Sequence, residues 1–262
     1  GERVVFAAQS WFGPSECGNF EGPGEQELRP SSDISVDSIE ICRVGQVAGP
    51  PVRVYMSGAT VPHPSKVKKE GMRAVMKKDF GYGGEDAFFI VEPTSESVRP
   101  LYGMGVADGV YMWRMQGIDA GIYSRSLMEG AANAVRKSMH DITLSDGTYA
   151  WDILEAAAEY VEASGEKGSS TVCTVLVDGA HHRLTTSNLG DSGFIVLRQQ
   201  VQSNPNPTSV TNNPTKPMPN TYKVVYRSPA QEHEFGRPYQ LGHHENSDSP
   251  ADAMPHSMIV EL

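Results

Sequence analysis

Two acidic pairs carry the most chemical information in this chain of 262 residues. Glu85-Asp86 stands at the mouth of the apolar run Ala87-Phe88-Phe89-Ile90-Val91, and Asp108-Gly109 ends the next strand-like run, Tyr102 to Ala107. Carboxylates at the ends of side-by-side strands converge, and a glycine lets the backbone come close enough for its carbonyl to join them. An all-oxygen set of this kind suits hard cations such as Mg²⁺ or Mn²⁺, with water completing the shell. Two such ions, about 3.5–4 Å apart, can bridge a water, lower its pKa and present it in line to a phosphorus centre. Each acidic pair taken alone also fits a turn or a helix cap.

Other candidate groups are weaker. Gly81-Tyr82-Gly83-Gly84 lacks the Lys-Ser/Thr of a nucleotide loop and precedes a strand rather than a helix. Gly190-Asp191-Ser192-Gly193 has a serine in a turn, but the flanking glycines of a nucleophile elbow are missing and the turn joins strand to strand. Of the eight histidines, His233, His243, His244 and His256 fall late in the chain. The adjacent His243-His244 point apart on any regular element, so they read as loop or surface residues rather than a zinc site.

The elements that must position the acids follow from the apolar pattern. Ala87–Val91 and Tyr102–Ala107 read as strands, and Val52–Ser57 alternates like a third. Helical spacing predicts helices over Ser126–His140 and Thr148–Ser164, the second capped by Ser145 or Asp146. Strands are expected at Thr171–Val177, Arg183–Asn188 and Phe194–Arg198 as an antiparallel meander, resumed by Tyr222–Tyr226, with a last strand at Met258–Leu262. Residues 13–50 read mostly as loop, with a short strand near Ile39–Val44. Lys66–Lys78 holds six basic residues against Glu70, which fits a solvated helix or inserted loop, or an anion-attracting rim beside a site. Gln199–Asn220, rich in Pro, Asn, Thr and Ser, reads as a long insertion. Strands, then helices, then strands argue for an α+β domain rather than a parallel βαβ sheet.

Composition excludes several classes. The 32 acidic against 22 basic side chains leave a net charge of −10, which repels phosphate backbones and removes nucleic acid as a main partner. No run of about 18 apolar residues is present, so no transmembrane helix is expected. Gly1–Phe12 does not read as a signal peptide, although a targeting segment could already have been removed. Of the three cysteines, Cys173 reads as a small core residue; a Cys17–Cys42 disulfide is an alternative that no residue pattern supports, and the expectation is an unlinked state or a reducing compartment.

An ordered set of motifs resembles a known family. Gly84-Glu85-Asp86-Ala87, Val106-Ala107-Asp108-Gly109-Val110 followed by Trp113, Gly168-Ser169-Ser170-Thr171 and Asn188-Leu189-Gly190-Asp191-Ser192-Gly193 resemble the type 2C (PPM) metal-dependent protein phosphatases. Their organellar subgroup, known from mitochondria and plastids, is the nearest branch. Ser57-Gly58-Ala59 with Pro62–Lys66 upstream, and Arg227-Ser228 through Phe235 to Pro238-Tyr239-Gln240-Leu241 downstream, extend the likeness.

The resemblance implies an α+β fold, a two-layer antiparallel β-sandwich flanked by helices. It implies a loop-rich segment over 1–50 and a phosphatase-like domain over 51–262, with insertions near 67–82 and 199–221. It implies hydrolysis of phosphoserine or phosphothreonine in a phosphoprotein substrate by water activated on two Mg²⁺ or Mn²⁺ ions. Asp108 is expected to bridge both ions, with Gly109 offering its carbonyl. Glu85 is expected to bind one ion directly or through water, Asp86 to hold metal-bound waters, and Asp191 to support the site near a further, weaker metal.

The chain departs from the family in three places. Tyr111-Met112 replaces the small Gly-Gly after the Asp-Gly-Val, which is expected to crowd the cleft or reshape substrate entry. Gly81 stands where many members place a phosphate-holding arginine. The chain ends at Leu262, before two further aspartates that the family places downstream, which is expected to weaken the metal site and leave a sheet edge open. These departures motivate two alternatives: an inactive phosphatase-fold module that binds or regulates a partner, and a hydrolase of another phosphoester.

Overall fold

Alternating burial along two successive segments builds the hairpin that carries both acidic pairs. The structure, a computed structural model, describes residues 4–9, 54–58, 84–141, 148–200 and 221–261. Strand β2 (Asp86–Val91) runs antiparallel to β3 (Leu101–Gly109), in register from Asp86 opposite Asp108 to Val91 opposite Gly103. On the other side of β3 lies β4 (Ser169–Asp178), buried at every position as a central strand must be. Next come β5 (Arg183–Leu189) and, at its far side, β11 (Met258–Glu261). This sheet has six strands, in the order β11-β5-β4-β3-β2, with the short β10 (Leu241–Gly242) also paired to β4, while β8 (Glu232–Glu234) and β9 (Arg237–Pro238) form a small two-stranded sheet of their own.

One face of this sheet is covered by two helices. Helix α1 (Ala120–His140) buries Leu127, Met128, Ala131, Val135 and Met139, and α2 (Ala150–Ser164) buries Ile153, Leu154, Ala157 and Val161. These stripes pack against Ala87, Phe89, Leu101 and Ala107, the residues of β2 and β3 whose side chains point that way. Burying a branched or aromatic side chain of this size contributes about 1.5–3 kcal/mol, so the face-directed pattern fixes the register of the hairpin.

The other face meets a second sheet. Strands β1 (Val4–Gln9), β6 (Gly193–Gln200) and β7 (Thr221–Arg227) form it in the order β1-β6-β7. Phe194 and Val196 of β6 pack on Cys173 of β4, with Val106, Tyr226 and Met258 around them. The Cys173 thiol is fully enclosed there, and burial pushes its pKa up to about 12. The fold is thus α+β, two antiparallel sheets face to face with helices outside.

Several expectations change. The three strands after Gly168 are not one meander: β4 and β5 form a hairpin, whereas residues 190–192 carry the chain from the six-stranded sheet into the other. A glycine-rich turn between two apolar runs looks the same in both cases, and only the packing of Phe194 on Cys173 distinguishes them. Residues 54–58 form no strand, despite their alternation. Helix α1 begins at Ala120, six residues before the expected start, because Asp119 caps it by accepting from Gly121 N at 3.0 Å. Helix α2 is capped at Tyr149, whose backbone N–H donates to Asp152 Oδ2 at 2.9 Å, not at Ser145 or Asp146. Gln199 and Gln200 belong to β6 and Thr221 to β7, so both ends of the expected 199–221 insertion are strand, and 201–220 lie outside the described residues. Strand β1 had no counterpart in the sequence reading. The 13–50 loop, the Ile39–Val44 strand, Cys17, Cys42 and the Lys66–Lys78 segment lie outside the described residues.

Candidate metal centre

Asp86 and Asp108 are cross-strand partners. Directly opposed residues project to the same face with Cβ atoms about 4.5–5.5 Å apart. Alternation places both with Phe88 and Val106 on the face turned toward the second sheet, and both are half-buried. The two carboxylates therefore stand side by side at one end of the sandwich.

The backbone around them is tightly tied. Gly109 N donates to Glu85 O at 3.1 Å, and the Ser124 hydroxyl of α1 donates to the same carbonyl. A Cβ on Gly109 would lie 2.6 Å from Ala120 O and 2.8 Å from Glu85 O, so this position admits only glycine. The end of β3, the start of β2 and the first turn of α1 thus meet with no room between them.

Glu85 itself is 1 % exposed. Its Oε1 lies 2.7 Å from Arg114 Nη2 on the short 3₁₀ helix Tyr111–Gln116. The same guanidinium sits 5.2 Å from the Tyr111 ring centroid. Tyr111 and Met112 are 49 % and 62 % exposed on this helix.

Asp191 follows β5 at the same end of the sheet. Thr171 pairs with Asp108, and Val172 with Leu189, which sets the 190–192 turn beyond Thr171. With strands about 4.8 Å apart, the turn stands roughly two strand spacings from Asp108, beside the acidic pair rather than in contact with it. Burial raises the Asp191 pKa, backbone N–H groups oppose the rise, and nearby Glu232 adds to it. Ser192 is buried and shares a 2.6 Å hydrogen bond with the Thr171 hydroxyl, which removes it as a nucleophile. Gln231 locks the turn from a distance in sequence. Its Oε1 accepts from Gly190 N at 2.8 Å, and its backbone N donates to Gly190 O at 3.0 Å.

Among the described residues, no group of three or more His, Cys, Asp and Glu side chains converges to hold an ion. The structure brings Asp86 and Asp108 together, ties Glu85 and Gly109 to them through the backbone, and leaves Asp191 apart. The donor set is nonetheless all oxygen, half-open and free of thiolate or imidazole, which fits a hard divalent cation rather than zinc or copper. The late histidines are engaged elsewhere: His243 and His244 flank Trp113 at 4.8 and 5.7 Å, and His233 Nε2 lies 2.9 Å from Asp248. Arg114, Ser124 and Gln231 escaped the sequence reading. Arg114 directly follows the Trp113 of the acidic motif, a signal that could have marked it, whereas Ser124 and Gln231 carry none.

No family model matches the chain. Among known proteins it is similar to a protein phosphatase PTC7 homolog of Xenopus laevis, 33 % identical over 74 % of this chain and 57 % of that protein. The Homo sapiens PTC7 homolog is 33 % identical over 66 % of this chain and 47 % of its own length. A probable protein phosphatase 2C 55 of Arabidopsis thaliana is 29 % identical over 90 % of this chain and 38 % of its own. The chain thus spans about half the length of the relatives it matches. The X-ray structure of the photosystem II phosphatase PBCP shares its fold, with a TM-score of 0.50 at 23 % identity over 77 % of this chain and 59 % of that one.

Proposed function

The chain belongs to the type 2C protein phosphatases, and on that premise we propose that it hydrolyses phosphoserine and phosphothreonine in proteins with the help of Mg²⁺ or Mn²⁺. The observation that carries the reading is the Asp86–Asp108 register pair at the end of the sandwich. In this proposal Asp86 and Asp108 hold two ions with the Gly109 carbonyl, Glu85 contributes its carboxylate to one of them, and Asp191 supports the rim. Bound there, such ions supply a water acidic enough to act at neutral pH and neutralise charge on the phosphoryl group. The protein's own part is to hold the carboxylates in place. The Gly109–Glu85 and Ser124–Glu85 hydrogen bonds fix the strand ends from which they project.

Hydrolysis of a phosphothreonine peptide and of p-nitrophenyl phosphate, with and without Mn²⁺, tests the proposal. The expected result is turnover that chelation abolishes and that Asp108→Ala reduces by at least about a hundredfold. Turnover indifferent to both changes refutes it.

A further inference from the structure

Glu85 is the most deeply buried carboxylate of the proposed centre, and a guanidinium already stands against it. Arg114 Nη2 lies 2.7 Å from Glu85 Oε1, and the Arg114 side chain is 31 % exposed against 2 % for the glutamate. The contact joins a buried carboxylate to a partly solvated guanidinium. In the same position the guanidinium stands 5.2 Å from the Tyr111 ring centroid. One end of the ion pair is therefore buried, while the other is partly solvated and flanked by an aromatic ring.

We infer that Arg114 competes with divalent cations for Glu85 and so sets the cation affinity of the proposed centre. The inference rests on the metal-centre reading and adds a specific antagonist to it. A cation that takes the Glu85 carboxylate must displace a unit positive charge from direct contact, and each tenfold of affinity corresponds to about 1.4 kcal/mol.

Calorimetric titration of the full chain with Mn²⁺ tests the inference, using wild type, R114Q, R114K and E85Q. R114Q is expected to bind Mn²⁺ at least about tenfold more tightly with unchanged stoichiometry. R114K keeps the charge but holds the carboxylate by one point contact, so a gain of about threefold is expected. In the E85Q background the R114Q gain is expected to vanish, because the contested carboxylate is gone. Unchanged or weaker binding in R114Q, or a gain that persists in E85Q, overturns the inference. If circular dichroism shows R114Q to be unfolded, the R114K titration decides. D108N separates the two levels: if it leaves Mn²⁺ binding intact, the metal-centre reading itself fails, whatever Arg114 does.

Discussion

Gly109→Ala probes the contact on which the acidic pair depends. The added Cβ would meet Ala120 O at 2.6 Å, Glu85 O at 2.8 Å and the Ala120 carbonyl carbon at 3.0 Å, where ordinary contact begins at 3.4 Å. All three atoms are backbone, so no side chain can rotate away and whole elements must part. Overpacking of a well-filled site costs about 1–3 kcal/mol, and a clash with two backbones belongs at the upper end. The Gly109–Glu85 hydrogen bond would stretch as well, adding about 1 kcal/mol. A loss of about 3–4 kcal/mol is expected, which is a large part of the usual 5–15 kcal/mol total and lowers Tm by roughly 6–16 °C in a domain of this size. Urea denaturation followed by circular dichroism measures it. Gly117→Ala serves as control, since Gly117 has φ +74° and nothing within 4 Å of its added Cβ, so only the left-handed strain of about 1–2 kcal/mol is expected. Mn²⁺ binding should fall in G109A, whose clash moves the end of β3, and persist in G117A. A G109A protein within about 0.5 kcal/mol of wild type, with its Mn²⁺ affinity intact, refutes the reasoning.

Three further outcomes are expected. Gln231→Ala removes the acceptor of Gly190 N and leaves a buried N–H unmet, at a cost of about 1–3 kcal/mol in denaturant unfolding; a loss below about 0.5 kcal/mol contradicts the proposed lock. Asp191→Asn changes the pH dependence of stability. The native carboxyl has a raised pKa and binds its proton more readily than the unfolded one, so wild-type stability declines as pH rises from the ordinary carboxylate range through the raised value. D191N should lack that decline, and melts from acid to neutral pH that run parallel for the two proteins would count against it. Thr185→Val deletes the hydroxyl that accepts from Ala150 N at 2.9 Å inside the first turn of α2; a cost of about 1–2 kcal/mol in denaturant unfolding is expected, and an unchanged stability contradicts that role.

Much of the site was legible before any coordinates. Glu85-Asp86 and Asp108-Gly109 each abut a short apolar run, and a run of that length bounded by turn residues reads as a strand. That reasoning anticipated the strand ends but not which partner faced which. The register Asp86 opposite Asp108 comes from packing Ala87, Phe89, Leu101 and Ala107 against the two helices, since a slip of β2 by one residue would turn Ala87 and Phe89 away from them. The cap of α1 was missed because Asp119 belongs to the interrupted stretch after the 3₁₀ helix, where no apolar period marks the boundary.

Local pattern, then, determined the strands, the helices and the placing of acids at strand ends, because a side chain's direction within an element depends only on its neighbours in the chain. Tertiary structure decided the rest. It turned residues 190–192 into a passage between sheets, brought Gln231 across 41 residues to Gly190, and set Arg114 against a buried Glu85. Those contacts join groups far apart in sequence, and their free energy exists only once both sheets and the helix layer have closed around them.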